Sequence, residues 1–508
     1  MHGLRRGKLR REYDLAVIGA GFGGSLMAMI AHRLGLSVIL LERGKHPRMA
    51  IGESTTPLSN LLLERLSATY DLPRIAPLAK WGSWQRAYPQ IACGLKRGFS
   101  FFHEAPADQL LVAASPHDDI ADTHWYRADV DHLLVREAQG LGVEYRDCAR
   151  IETLDLGDEG ATMIGHAGEE PFHLHARLLI DATGPRGFLH RRLQLEESPL
   201  PGLPATESLY SHFTGVARTE AAGECSPYPV DDAAVHHVFE GGWVWVLRFN
   251  NGVTSAGVAA TQSVARELVL SEGEPAWQRL LERLPVLQSQ FRSAVACEPF
   301  RHMPQVSFRS HTMAGERWAM LPSAAGFVDP LLSTGFPLTL IGIERLARII
   351  DKYRDSADLG WQLQCYAQQT DCDLLAASRL IGALYATMGN FNAFTAVSLL
   401  YFAAVSFAET AQRLGKTELA PGFLLREHPT FGPASRGLLD RAHRLSDTRG
   451  FAEEVVRLIE PFNVGGFGDT SRRNWYPVCA EDLLRAGYKL GAGREEIIAM
   501  LDKSGFYA

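Results

Sequence analysis

The stretch YDLAVIGAGFGGSLMAMIAHRLGLSVILLERG, Tyr13 to Gly44, constrains the fold more than any other part of the chain. An apolar run, Leu15 to Ile18, leads into glycines at 19, 21 and 24. Helix-forming residues follow, and then a second apolar run, Val38 to Leu41, that ends in Glu42. Gly19 permits a tight turn, Gly21 lets the backbone approach a pyrophosphate, and Gly24 lets helix and strand pack closely. The free N–H groups and dipole at the helix start suit phosphate oxygens. Glu42 stands where an acid would hold ribose hydroxyls. Strand, glycine turn, helix, strand and acid in this order predict a dinucleotide site, with Gly19, Gly21, Phe22, Gly24, Glu42 and Arg43 as candidate contacts. The motif alone leaves FAD and NAD both open.

The chain has 508 residues, enough for two or three structural units. A net charge of −7 gives no reason to expect nucleic-acid binding. The seven cysteines are scattered with no CxxC pair, so neither a metal site nor a disulfide framework is indicated, and a reduced, cytoplasmic protein is the simplest reading. The basic start, MHGLRRGKLRR, has no apolar core behind it and reads as a tail rather than a signal peptide. Leu380 to Ala408 carries no charged residue and is long enough to span a bilayer. Gly389, Asn390 and Asn392 interrupt it, so buried helices that line the substrate pocket are expected and membrane association is not.

Four further stretches carry candidate chemistry. In CGLKRGFSFFHE, strand alternation sets Leu95, Arg97, Phe99 and Phe101 on one face and Lys96, Gly98, Ser100 and Phe102 on the other. Taken alone, Lys96 is either a surface lysine or one kept in a cavity for chemistry. Ile51 to Pro57, IGESTTP, is a polar loop directly after the Glu42 region. GGWVWVLRF, Gly241 to Phe249, puts Trp243 and Trp245 on one face of a strand. In SAAGFVDPLLSTGFPLTLIG, Gly335 opens an apolar helix and offers free N–H groups to an anion.

Together these stretches resemble flavin-dependent halogenases, in the branch that acts on phenols and carrier-tethered aromatics, over about residues 12 to 480. Asp181-Ala182-Thr183-Gly184 resembles the turn that returns the chain to the FAD domain in two-domain flavoproteins. IGESTTP resembles the family's strap between the FAD and substrate sites, and GLKRGFSFF aligns with the strand of its catalytic lysine. GGWVWVLRF resembles the Trp-x-Trp-x-Ile/Leu-Pro signature, with Arg248 in place of proline. DPLLSTG resembles the second FAD segment, with Leu332 where free-tryptophan enzymes carry glutamate.

The resemblance implies an α/β fold with a glutathione-reductase-like, Rossmann-type FAD domain, an inserted antiparallel substrate sheet and a helical C-terminal region. The expected division is about 12–60, 110–200 and 305–350 for FAD, 61–109 and 201–304 for the sheet, and 351–508 for the helices. Implied cofactor contacts are Glu53, Ser54, Thr55, Arg127, Asp329, Gly335 and Phe336, besides those near Gly19. Thr334 and Gly335 would hold chloride or bromide, and Lys96 would be catalytic, with Lys80 its competitor. His103, Glu104 and His124 are expected to be structural. The implied reaction halogenates an electron-rich aromatic, free or on a carrier protein, through a flavin hydroperoxide and hypohalous acid steered by Lys96. Reduced FAD would come from a separate flavin reductase. A flavin monooxygenase, a geranylgeranyl-reductase-like oxidoreductase and a flavin-binding protein without chemistry are the alternatives.

Overall fold

The computed structural model describes residues 11–103, 108–219 and 226–507. Strand β1 (Arg11–Ile18) runs parallel to β2 (Val38–Leu41) on one side and to the long strand Glu170–Asp181 on the other. Trp318–Met320 and Glu144–Arg146 extend this parallel set at its two ends. Leu15, Ala16 and Val17 are fully buried, as expected of a parallel strand covered on both faces and written as an unbroken apolar run. Helices Phe22–Arg33 and Gly335–Tyr353 pack together beside it. Both begin at the same end of the structure, so two helix N-termini converge on one cavity. This is the Rossmann-type arrangement that the glycine spacing implies.

A second, nine-stranded sheet carries Gly242–Arg248 between Val253–Thr261 and Ala234–Phe239. Strand β3 (Cys93–Lys96) stands apart from it, while β4 (Gly98–Phe102) and β5 (Gln109–Ala113) belong to it. The pairing is antiparallel except where β4 meets Ala234–Phe239 and where Trp475–Tyr476 adds beside β5. The sheet therefore takes in residues on both sides of position 110 and a strand from the C-terminal region.

The expectation of one strand through Lys96 needs correction. The chain breaks pairing at Arg97, whose N–H donates to the Asp232 carbonyl. β3 instead pairs antiparallel with β6 (Asp122–Trp125), in a separate two-stranded sheet. The break resets the alternation, and Lys96 ends on the same side as Phe99, its ammonium 3.9 Å from the ring centroid.

The uncharged run 380–408 is also split. Helix Leu359–Thr387 ends before Gly389, and Asn390 caps helix Phe391–Arg413 by accepting from the Ala393 N–H. Among the described residues, Phe391–Arg413 alone is long and apolar enough to cross a membrane, but 83% of its apolar window is buried inside the protein. Its aromatic residues pack on the second sheet, with Phe394 against Phe101 and Phe402 against Phe99.

Candidate active site

A cavity of about 1090 Å³ runs from the glycine turn to the start of helix Gly335–Tyr353. At its polar end, Gly19 has φ +96° and an added Cβ would lie 2.7 Å from the Ala182 carbonyl oxygen. Gly21 lines the cavity, and an added Cβ there would meet nothing closer than the Arg127 guanidinium at 3.4 Å. Gly24 lies beneath the cavity instead. Its Cβ would fall 1.9 Å from the Gly19 carbonyl oxygen, so it serves packing and touches no ligand space. Glu42 accepts from the Ala20 and Gly44 N–H groups at 2.9 and 2.8 Å and pairs with Arg48 at 3.2 Å. Burial alone would push its carboxyl up, but these partners together hold it below the usual carboxylate range. Arg43 also lines the cavity.

Toward the other end the walls become aromatic. Phe22 and Phe336 stack at 4.3 Å, with Trp125 edge-on to Phe336 at 4.8 Å. Arg127 lies over Phe22 at 5.0 Å and is locked by Asp131 at 2.8 Å. It also donates to the carbonyls of Ile51 and Gly52, at 2.8 and 3.1 Å. Trp243, Trp245 and Leu247 complete this end. Arg248, the departure from the tryptophan signature, points away and donates to the Val216 and Ala217 carbonyls while pairing with Asp231 at 3.1 Å. The donor-rich turn, the acid and the aromatic end fit a flavin dinucleotide.

The loop IGESTTP forms the wall between this cavity and the lysine. Ile51, Gly52, Glu53 and Ser54 face the cavity. Glu53 is buried and receives His212 Nε2 at 2.8 Å. Lys96 is fully buried and lies outside the cavity lining. Its ammonium donates to Ser54 Oγ at 2.9 Å and to the Thr55 carbonyl. The Ser54 hydroxyl is thus engaged by the lysine, and Thr55 is turned from the cavity with its hydroxyl on the Thr123 carbonyl. Burial lowers the Lys96 pKa to about 8, and the Asp122 carboxylate opposes that fall. The Phe99 ring face also favours the ammonium.

Thr334 is buried, and Gly335 opens a 19-residue helix whose first turn has no side-chain cap. Pro337 lacks an N–H, so the donors facing out are those of Gly335 and Phe336, and both residues line the cavity. Leu332 and Ser333, just before, both have positive φ, +62° and +54°. That conformation is uncommon for side chains other than glycine and turns the helix start toward the cavity. Asp329 faces the cavity too, yet both its oxygens are taken by the Leu331 N–H and the Tyr385 hydroxyl, each at 2.9 Å. Burial raises its carboxyl to about 7. Tyr385 in turn accepts from Trp243 Nε1 at 3.2 Å.

Other sequence candidates fall elsewhere. Lys80 pairs with Glu64 at 3.3 Å, away from the cavity. His103 bonds the Met388 carbonyl at 3.1 Å, and Glu104 lies outside the described residues. His124 is buried against the Ala233 carbonyl and is held neutral by burial and by Lys96. Residues 380–408 are absent from the lining of this cavity, and Phe394 and Phe402 in that run pack on Phe101 and Phe99. The sequence reading missed Asp122, which faces Lys96 across β3 and β6. An aspartate inside a short strand bounded by Ala121 and Trp125 was the available signal.

Residues 122–392 match the family model described as tryptophan halogenase. The chain is 31% identical to the tetracycline 7-halogenase of Kitasatospora aureofaciens, over 72% of this chain and 68% of that protein. It is 29% identical to the monodechloroaminopyrrolnitrin halogenase PrnC of Pseudomonas fluorescens, over 68% of this chain and 62% of that protein. The crystal structure of halogenase PltM in complex with phloroglucinol and FAD superposes with a TM-score of 0.81 at 26% identity, covering 91% of this chain and 99% of that one.

Proposed function

This chain belongs to the tryptophan halogenase family, and from that premise we propose that it halogenates an electron-rich, phenolic aromatic, free or carrier-tethered, through Lys96. FAD is held by the Gly19–Gly21 turn, Phe22, Glu42 and Arg43, and by Glu53, Arg127 and Phe336 at the aromatic end. Dioxygen, activated by reduced FAD when the cofactor is bound, would supply the oxidising equivalents that convert halide to hypohalous acid. Chloride or bromide is held at Thr334 and Gly335, where helix N–H groups favour an anion. Reduced FAD is delivered by a separate flavin reductase, and the enzyme works in the cytoplasm.

One observation carries the role of Lys96: its buried ammonium is held by the same loop that walls the dinucleotide cavity. Hypohalous acid is small and would otherwise attack at random. Lys96, as an ammonium, donates to the hypohalous oxygen and leaves the halogen electrophilic. The ring carbon attacks the halogen, the ring C–H becomes C–X, and oxygen leaves as water with the ring proton.

The test uses purified protein, reduced FAD, dioxygen, bromide and phloroglucinol, with products read by mass spectrometry. A bromide-dependent ring-brominated product is expected. A product that gains oxygen and ignores bromide would make the protein a monooxygenase.

A further inference from the structure

Lys96 and Asp122 are register partners in the antiparallel pair β3–β6, so both side chains leave the same side of the ribbon. Both are buried, and the hydrogen bonds of the Lys96 ammonium among the described residues go to Ser54 Oγ and the Thr55 carbonyl rather than to a carboxylate. Asp122 Oδ1 accepts from Asn60 Nδ2 at 2.6 Å, while Oδ2 is buried with no hydrogen-bond partner. A buried carboxylate left half-satisfied is costly, and a structure tolerates one where its charge has work to do.

We infer that Asp122 is a positioning residue whose negative charge holds Lys96 in its ammonium form. The inference rests on the proposed role of Lys96 as a hydrogen-bond donor to hypohalous acid.

The other groups around the pair leave this role to Asp122. His124 and His236 feel the Lys96 charge, and burial drives both to about 3, so they are neutral at working pH. Neither can supply the missing negative charge. On the Asp122 side, helix Phe391–Arg413 presents Glu409, Arg413 and Tyr401. Glu409 and Arg413 bond each other at 2.7 Å and largely cancel. Tyr401 is raised to about 13 and stays neutral. Burial lifts Asp122 itself to about 7, with Lys96 and Asn60 acting against that rise. Lys96 is protonated below its folded pKa of about 8 and neutral above it. Ammonium-dependent halogenation therefore falls as pH rises through that value. Removing the Asp122 charge lowers the Lys96 pKa further and moves the fall to lower pH.

Two readouts test this on full-length protein carrying FAD: the NMR titration of lysine Cε, with Lys96 assigned by Lys96→Arg, and the pH profile of bromination. In Asp122→Asn the Lys96 midpoint should drop by about one unit or more, which lowers the ammonium fraction roughly tenfold above that midpoint. The alkaline fall of bromination should move with it, and Asp122→Glu should restore both in part. If Asp122→Asn does not yield folded protein, Asn60→Ala serves. It removes the donor that stabilises the Asp122 carboxylate, and both readouts should move the same way by less. An unchanged Lys96 midpoint in the variant that folds overturns the inference. A lowered midpoint with faster bromination at neutral pH upholds the role of Asp122 and instead overturns the ammonium reading of Lys96.

Discussion

The two ends of the buried polar system are built on opposite principles. At the nucleotide end, the groups that matter lie within 30 residues, and the chain satisfies them locally: Glu42 takes three donors from Ala20, Gly44 and Arg48. At the lysine end, Ser54, Asn60, Lys96, Asp122, His124 and His236 come from five separate segments. Buried polar atoms remain there without partners, at Asp122 Oδ2 and His124 Nδ1. The Glu42 carboxylate is fully hydrogen-bonded, although Arg48 Nε beside it has no partner, and a satisfied carboxylate makes a rigid cradle for a ligand of fixed shape. Incomplete hydrogen bonding in a buried setting holds groups whose charge can be tuned.

Glycine substitutions should break the nucleotide end most severely and unequally. Gly24→Ala puts a Cβ 1.9 Å from a backbone oxygen, so helix and strand must separate. We expect protein that fails to bind FAD or to fold, read by flavin absorbance and thermal melting. Gly21→Ala has room for its Cβ, so melting of the FAD-free protein should barely change. FAD affinity should still fall about tenfold by titration, as one close backbone–phosphate approach is lost. Equal behaviour of the two variants would remove the distinction drawn between packing and contact.

The lysine end should show coupling that the nucleotide end lacks. Lys96→Met leaves Asp122 buried with no counter-charge, and Asp122→Asn leaves Lys96 so. Each single variant should lose stability, and the double variant should recover part of it, with a coupling of about 1–3 kcal/mol in denaturant titrations. Simple additivity would mean that the two charges do not sense each other.

The smallest effect belongs to Arg248. Arg248→Ala removes partners of the Val216 and Ala217 carbonyls and of buried Asp231, so melting should drop by a few degrees, about 1–2 kcal/mol. Bromination per folded enzyme should stay within about twofold, because the side chain points away from the cavity. A loss of more than tenfold would place the departure from the tryptophan signature inside the site after all.

The same contrast explains what was legible in the sequence. The glycine turn and Glu42 could be read because one β-turn-α-β unit brings them together at one end of the cavity. The lysine end could not be read this way. Strand alternation through residues 93–102 misplaced Lys96, since the break at Arg97 depends on a tertiary bond to Asp232. Asp122 is 26 residues from Lys96 in sequence and meets it only through pairing of β3 with β6. Ser54, a cofactor contact by the family resemblance, lines the cavity, but its hydroxyl is bound to Lys96. The division of the uncharged run had a visible signal in Gly389 and Asn390, and Asn390 is the helix cap.

The central claim is that Lys96 delivers the oxidised halogen to the aromatic ring. It is tested most directly by a single turnover of Lys96→Ala carrying reduced FAD, mixed with dioxygen, bromide and phloroglucinol. Oxidation of the flavin and yield of brominated ring are read in the same sample. The account predicts flavin oxidation at close to the wild-type rate, with ring bromination reduced at least about 100-fold. Bromination at the wild-type yield would contradict it and make Lys96 a buried structural lysine.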